Sequence, residues 1–246
     1  LFPYTTLFRS SRVCEDITVT NCVLMTNQAA VRVGVGNGSI RRCCLSNLCI
    51  RRAGVGIDIL STYRDSSVSD RTSRPKDYPD AGTDVSDILF DNIVMQTHMP
   101  FDLVSNHHEA PMAHSGKLLR NITIRGVRGY GCITSLFQGN HDLNLRNVSL
   151  VDIDLEYNGG EHIRLLQDGE TCAQRFPGYR PYAIYAANID GFSMDRVRLT
   201  WGELKGPWTH AMLTAHVKDL TLRNCRLPAP PGGIDCEHLE TWNDRI

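Results

Sequence analysis

Three charged residues occupy the same place in three similar apolar pentads. They are Arg32 in Ala30-Val-Arg-Val-Gly34, Asp58 in Gly56-Ile-Asp-Ile-Leu60 and Asp102 in Pro100-Phe-Asp-Leu-Val104. Strand alternation sends the two apolar neighbours to one face and the polar residue to the other. If the pentads pair side by side, the two carboxylates sit on strands about 4.8 Å apart. Such proximity disfavours joint ionisation and raises one pKa, which is what a general acid needs. The expectation is one outward column, with Asp58 and Asp102 as candidate catalytic carboxylates and Arg32 as a candidate substrate contact. The competing reading is a surface Arg-Asp-Asp ladder that offsets its own charge.

Other chemistry-bearing residues point elsewhere. His98, His107, His108 and His114 cluster in sequence with Glu109. His108 and His114 are too far apart for a zinc-binding helix, and Pro111 would break that helix. The stretch reads as a solvated loop, and no metal site is expected. Gly34-Val-Gly-Asn-Gly38 lacks the spacing and the following helix of a phosphate-binding turn, so it reads as a tight turn between strands. The cysteine count is nine, an odd number, without a Cys-x-x-Cys pair. Cys22 and Cys225 read as small buried residues, and Cys172 with Cys236 as a conceivable loop pair.

The elements that must position these residues are short strands that recur. Asp16-Ile-Thr-Val-Thr-Asn-Cys22, Ile40-Arg-Arg-Cys-Cys-Leu-Ser-Asn47, Asp87-Ile-Leu-Phe-Asp-Asn-Ile93, Arg120-Asn-Ile-Thr-Ile-Arg-Gly-Val127, Asp142-Leu-Asn-Leu-Arg-Asn-Val148, Gly191-Phe-Ser-Met-Asp-Arg-Val197 and Asp219-Leu-Thr-Leu-Arg-Asn-Cys225 each run into a turn, most often at asparagine. The interval from Asn21 to Asn47 is 26 residues and that from Gly126 to Asn147 is 21. Repeats of this length with one strand pattern each indicate a stacked array. The expectation is an all-β, right-handed parallel β-helix. Strands are expected at 16–20, 30–34, 40–45, 56–60, 87–91, 100–104, 120–124, 142–146 and 219–223, with 162–166 as a further candidate. The turn asparagines are expected to hydrogen-bond rung to rung inside the coil. Asn147, which also heads an Asn-x-Ser sequon, would then be buried.

Composition and chain organisation set outer bounds. Residues 1–10 read as the in-frame translation of a sequencing adapter, residues 11–227 as the coils and residues 228–246 as an irregular tail. On that reading the chain is the C-terminal part of a longer protein. Inserted loops are expected at 64–84, 105–117, 156–181 and 201–210, crowded over the binding face. A formal net charge of -1 argues against a partner that presents many phosphates, so no nucleic acid is expected. No apolar run approaches the roughly 18 residues of a membrane-spanning helix, so no membrane is expected.

The run Asp16-Ile-Thr-Val-Thr-Asn-Cys22, then Ala30-Val-Arg-Val-Gly34, then Gly54-Val-Gly-Ile-Asp-Ile59 resembles the later coils of glycoside hydrolase family 28. These are the polygalacturonases and their relatives, with a pectin-lyase-like β-helix. The resemblance spans roughly residues 13–227. It implies inverting hydrolysis of a glycosidic bond in a pectin-like or other polysaccharide or oligosaccharide, with no cofactor, by an extracellular or periplasmic monomer. Arg32 from its register, His98, His107 and His108 from their cluster, and Arg64 are the candidate contacts to sugar. In that family a Gly-His-Gly motif and an Arg-Ile-Lys motif occupy successive coils. Here the His position is Ala29, and the Arg and Lys positions are Gly56 and Asp58. The family's catalytic aspartates are expected upstream, so this chain by itself is expected not to cleave polygalacturonate. A polysaccharide lyase or epimerase, and a non-catalytic glycan-binding β-helix, are the alternatives on the same architecture.

Overall fold

The structure is a computed structural model that describes residues 13–34, 38–61, 82–105, 117–140, 142–161 and 180–240. Among these residues there is no helix. The chain runs through β1 (Val13–Met25), β2 (Ala29–Gly34), β3 (Gly38–Ser61), β4 (Thr83–Ser105), β5 (Leu119–Gly131), β6 (Ser135–Gln138), β7 (Leu145–Gly159), β8 (Tyr182–Leu204), β9 (His210–Arg223) and β10 (Ile234–Leu239).

All pairings between these strands are parallel, and each segment pairs with the one a repeat later. Ile17, Cys43, Ile88, Ile122, Val148, Phe192 and Leu220 follow one another in register through successive tiers. A second column runs through Cys22, Leu48, Ile93, Val127, Ile153 and Val197. A third layer is formed by β2, the last parts of β3 and β4, β6, the first part of β8, the first part of β9, and β10. β4, β5, β7, β8 and β6 close a ring of pairings, because β4 and β8 are long enough to bend and pair on two sides.

The bends have a sequence cause. Each tier holds two residues in the left-handed region, five apart: Asp16 and Asn21, Arg42 and Asn47, Asp87 and Asn92, Asn121 and Gly126, Asn147 and Asp152, Gly191 and Arg196, Asp219 and Asn224. This region is disfavoured for most side chains and tolerated best by Gly, Asn and Asp, which supply most of the corners. The two arginines among them rest on carboxylates one tier away, Arg42 on Asp16 at 2.7 Å and Arg196 on Asp152 at 2.5 Å.

The corner side chains do hydrogen-bond from tier to tier, as in Asn92 Nδ2 to Asn47 Oδ1 at 2.8 Å and Asn147 Nδ2 to Asn121 Oδ1 at 3.1 Å. They do so on the outside of the coil, where all four asparagines are exposed. The expected inward ladder is therefore reversed, because a residue at a sharp corner turns its side chain away from the axis.

Asn147 is displaced as well. It stands in the first corner column with Asn121 and not in the second with Asn21 and Asn47, and Asp152 takes the second corner. The strand begins at Leu145, so the segment expected at 142–146 is mostly not strand. Two corners of like composition five residues apart make such a slip easy. Part of the expected irregular tail, Ile234–Leu239, is β10, in parallel register with β9.

The interior is apolar and closed through the middle tiers. Val85, Phe90, Ile93, Ile122, Ile124, Val127, Leu145 and Val148 are all fully buried. Phe101, Phe137 and Phe192 touch inside the coil, with ring centroids 6.0 Å and 5.3 Å apart in sequence of contact. At the β1 and β2 end the inner side chains Ile17, Val19, Leu24 and Val31 line an apolar hollow of about 70 Å³.

Candidate functional site

The outer face of the third layer carries the charged column expected from the sequence. Arg32, Asp58 and Asp102 are direct neighbours across adjacent tiers, and the column continues through Leu136, Tyr185, Leu213 and Glu237. The six flanking residues Val31, Val33, Ile57, Ile59, Phe101 and Leu103 all belong to the interior core. Opposite placement of the polar three thus follows from the pleat.

This face differs from the open groove that alternation alone suggests. Asp58 is 1% exposed and Asp102 is 5% exposed. Around them Leu60, Met99, Val104, Leu136, Tyr185, Ala187, Leu213 and Ala215 form a second buried apolar cluster. The carboxylates therefore lie in a low-dielectric layer, with the half-exposed Arg32 at its edge. Arg32 Nε donates to Asp58 Oδ2 at 2.5 Å. The other oxygen, Asp58 Oδ1, is buried without a hydrogen-bond partner among the described residues.

Burial pushes the Asp58 carboxyl up to about 7, with the charge of Asp102 adding to the rise and Arg32 opposing it. A pair of this kind holds one proton near neutrality. One member can then donate a proton while the other accepts one. Gly56, two residues before Asp58, stands where no larger residue fits. A side chain there would meet the Pro100 carbonyl oxygen at 2.7 Å and the Met95 sulfur at 3.1 Å.

The remaining sequence candidates scatter. His98 is exposed on β4, and its carbonyl accepts from the Cys132 and Ile133 amides at 2.7 and 2.9 Å. It does not belong to the charged column. Arg64, His107 and His108 lie outside the described residues. The third-layer strand of the fifth tier is 182–187, paired with β6, whereas residues 162–166 lie outside the described residues. Trp201 and Trp208 pack on each other and on Tyr157, with centroids 5.3 to 6.1 Å apart. These rings are structural, and Trp201 Nε1 donates to the Pro228 carbonyl. Cys236 is a free thiol, and Cys172 lies outside the described residues. Among the described residues no cluster of His, Cys, Asp or Glu could hold a metal ion.

Sequence reasoning missed Arg180, Gln138 and Tyr185 on this same face. Arg180 is 5% exposed, and its guanidinium carbon lies 4.2 Å from the Tyr185 ring centroid. Its Nη2 donates to Gln138 Oε1 at 3.1 Å. Strand 182–187 is apolar on both faces, so alternation gave no signal, and only its register against Asp102 and Leu136 could have found Tyr185.

Comparison with known protein families, with curated proteins and with solved structures finds no match for this chain.

Proposed function

We propose that this chain is a right-handed parallel β-helix of the glycoside hydrolase family 28 kind and that the Asp58–Asp102 pair does acid–base chemistry on a glycan. The observation that carries the reading is two buried carboxylates on adjacent tiers, one held protonated close to neutral pH. Asp58 protonates the departing glycosidic oxygen, Asp102 takes a proton from water, and the water attacks the anomeric carbon. Arg32, half-exposed, orients the pair and meets the sugar at the rim. The partner is a polysaccharide or oligosaccharide, and the reading implies an extracellular or periplasmic setting.

The substrate differs from polygalacturonate, because Ala29, Gly56 and Asp58 stand where the family has its His, Arg and Lys. Adjacent tiers lie about 4.8 Å apart. This is closer than the roughly 6.5–9.5 Å usual for inverting pairs and near the roughly 5–5.5 Å of retaining pairs, so the anomer released first decides between the inversion that the resemblance implies and retention. Proton NMR identifies that anomer.

The decisive test is a reducing-end assay on a panel of neutral and acidic glycans with Asp58→Asn and Asp102→Asn. Each variant should lose about 10²–10⁴ in rate while unfolding as one cooperative unit. Turnover that survives both changes places the chemistry elsewhere. The burial of Asp58 favours a second reading, a structural ion pair with Arg32 that shapes the layer. In that case no glycan is hydrolysed, and Asp58→Asn alters only stability.

A further inference from the structure

The first and last tiers of the coil carry the same pattern. Asp16-Ile-Thr-Val-Thr-Asn-Cys22 belongs to the first and Asp219-Leu-Thr-Leu-Arg-Asn-Cys225 to the last: acid, apolar, threonine, apolar, polar, corner asparagine, thiol. Cys22 Sγ donates to the Thr20 carbonyl and Cys225 Sγ to the Arg223 carbonyl, each at 3.3 Å. The first tier is completed by β2 and the last by β10. Among the described residues β1 and β2 pair on one side only, and so do β10 and residues 217–223 of β9.

Apolar surface collects at these same two edges. Val13, Val23 and Met25 on the first tier and Leu222 and Ile234 on the last are exposed. Among the described residues the tiers between them add only Val94 and Tyr130 as exposed large apolar side chains. Ile17, Val19, Leu24 and Val31 line the hollow at the first edge. The inner columns that start at Ile17 and Val19 end at Leu220 and Leu222. A stacked repeat that ends on bare inner side chains needs a cap or another repeat.

Charge and register select the occupant. The outward column that starts at Arg32 ends at Glu237. The one that starts at Glu15 ends at Lys218. Setting the last tier of one copy on the first tier of the next therefore brings Glu237 to Arg32 and Lys218 to Glu15, about 4.8 Å apart along the coil. Asn224 then meets Asn21 as Asn92 meets Asn47, and Thr221 meets Thr18 as Ser193 meets Ser149. Cys225 meets Cys22, because Arg198 and Arg226 keep the last tier in register. One like-charge contact, Asp219 on Asp16, opposes the stack, and Arg42 already holds Asp16 at 2.7 Å within its own copy. Two β1 edges placed together would run antiparallel and make none of these matches.

We infer that the protein stacks head to tail, the β9–β10 edge of one copy on the β1–β2 edge of the next, as an open-ended filament of continuous sheets. The contact is heterologous and does not close on itself, so filament length depends on concentration. It stands apart from the acid–base reading, and it replaces the monomer that the resemblance implies.

Sedimentation velocity of the full chain over a wide concentration range tests the stack. The mean mass should climb without a plateau at the dimer. Leu222→Lys puts a charge on the bare inner face of the last tier and should leave only monomer. Leu222 is 41% exposed, so the fold should survive the change, with urea unfolding as the check. Lys218→Glu should weaken association about tenfold, and more at low salt. It keeps the test open if Leu222→Lys fails to fold. Diamide, which takes up the two hydrogens that a pair of thiols gives up, reads the register. Cα atoms one tier apart lie within the roughly 4.4–6.8 Å of a disulfide, so peptide mapping should recover Cys225 of one copy joined to Cys22 of the next. These thiols lie at opposite ends of the coil, so the link forms only between copies. A chain that stays monomeric at every concentration overturns the inference. So does a closed dimer joined Cys22 to Cys22, which assigns the β1 edge to antiparallel self-pairing, and so does association that both variants leave unchanged.

Discussion

Asp91, Asp152 and Asp154 stand on the outer faces of the first two layers, each one tier from an arginine: Arg125, Arg196 and Arg198. Asp58 stands one tier from Arg32 in the third layer. The spacing and the partner are the same, and the electrostatic outcome is opposite. Hydrogen bonds from the arginines hold these three solvent-facing carboxyls below the usual carboxylate range. Burial and a second carboxylate push Asp58 well above that range despite its own arginine. A rung neighbour of opposite charge therefore does not decide what a carboxylate becomes. Access to water and the next residue up the column decide it.

The contrast can be broken first by removing its support. Phe137, fully buried, touches Phe101 and Phe192 directly beneath the charged column. Phe137→Ala should cost about 3–5 kcal/mol, read from urea unfolding. A loss below about 1 kcal/mol would mean that this interior is not packed as described.

The pH dependence comes next. With its folded pKa raised to about 7, Asp58 keeps a proton that the unfolded chain releases near 4. Its contribution is most favourable below about 4, declines as pH rises to about 7, and is flat above. Asp58→Asn removes this slope, so the variant should gain on the parent by on the order of 2–4 kcal/mol between pH 4 and 8. Parallel slopes for the two proteins would put Asp58 among the ordinary carboxylates.

Two substitutions sharpen the cause. Asp102→Asn should lower the Asp58 pKa and Arg32→Gln should raise it, followed by carboxyl carbon NMR. A shift in the same direction for both would contradict the column. The smallest effect belongs to the exposed side. Asp154→Asn should cost less than about 1 kcal/mol, and only above about pH 4, since the stability that its depressed pKa confers is lost as acid protonates it. Added salt should shrink that difference further.

The repeat, the parallel pairing and the adjacency of Arg32, Asp58 and Asp102 were legible because alternation fixes which side chains share a face. Val31, Ile57 and Phe101 point inward for the same reason that the residues after them point outward. Burial of that outward face was not legible. Tyr185 and Leu213 look like interior residues by composition, and nothing in a period of two says that both faces of one layer are covered. The corner asparagines misled twice, in direction and in register. Asn at φ near 50° is chosen for backbone tolerance and not for a buried amide ladder, and two such corners per tier resemble each other. Arg180 was invisible because its placement depends on a ring and an amide from two different tiers.

The constant interval of five residues between the two corners acts as a ruler that the rest of the chain does not share. From Asp16–Asn21 to Asp219–Asn224 it never changes, while the stretches between one ruler and the next vary freely in length. A single-residue deletion inside it would turn the following strand over and send its apolar side chains to the surface. Insertions of many residues elsewhere leave it untouched. Evolution of this molecule is thus free to lengthen or replace its loops and nearly forbidden to edit its corners. A library that randomises insertion points should return folded clones with insertions in the connections between tiers and none within those windows of five.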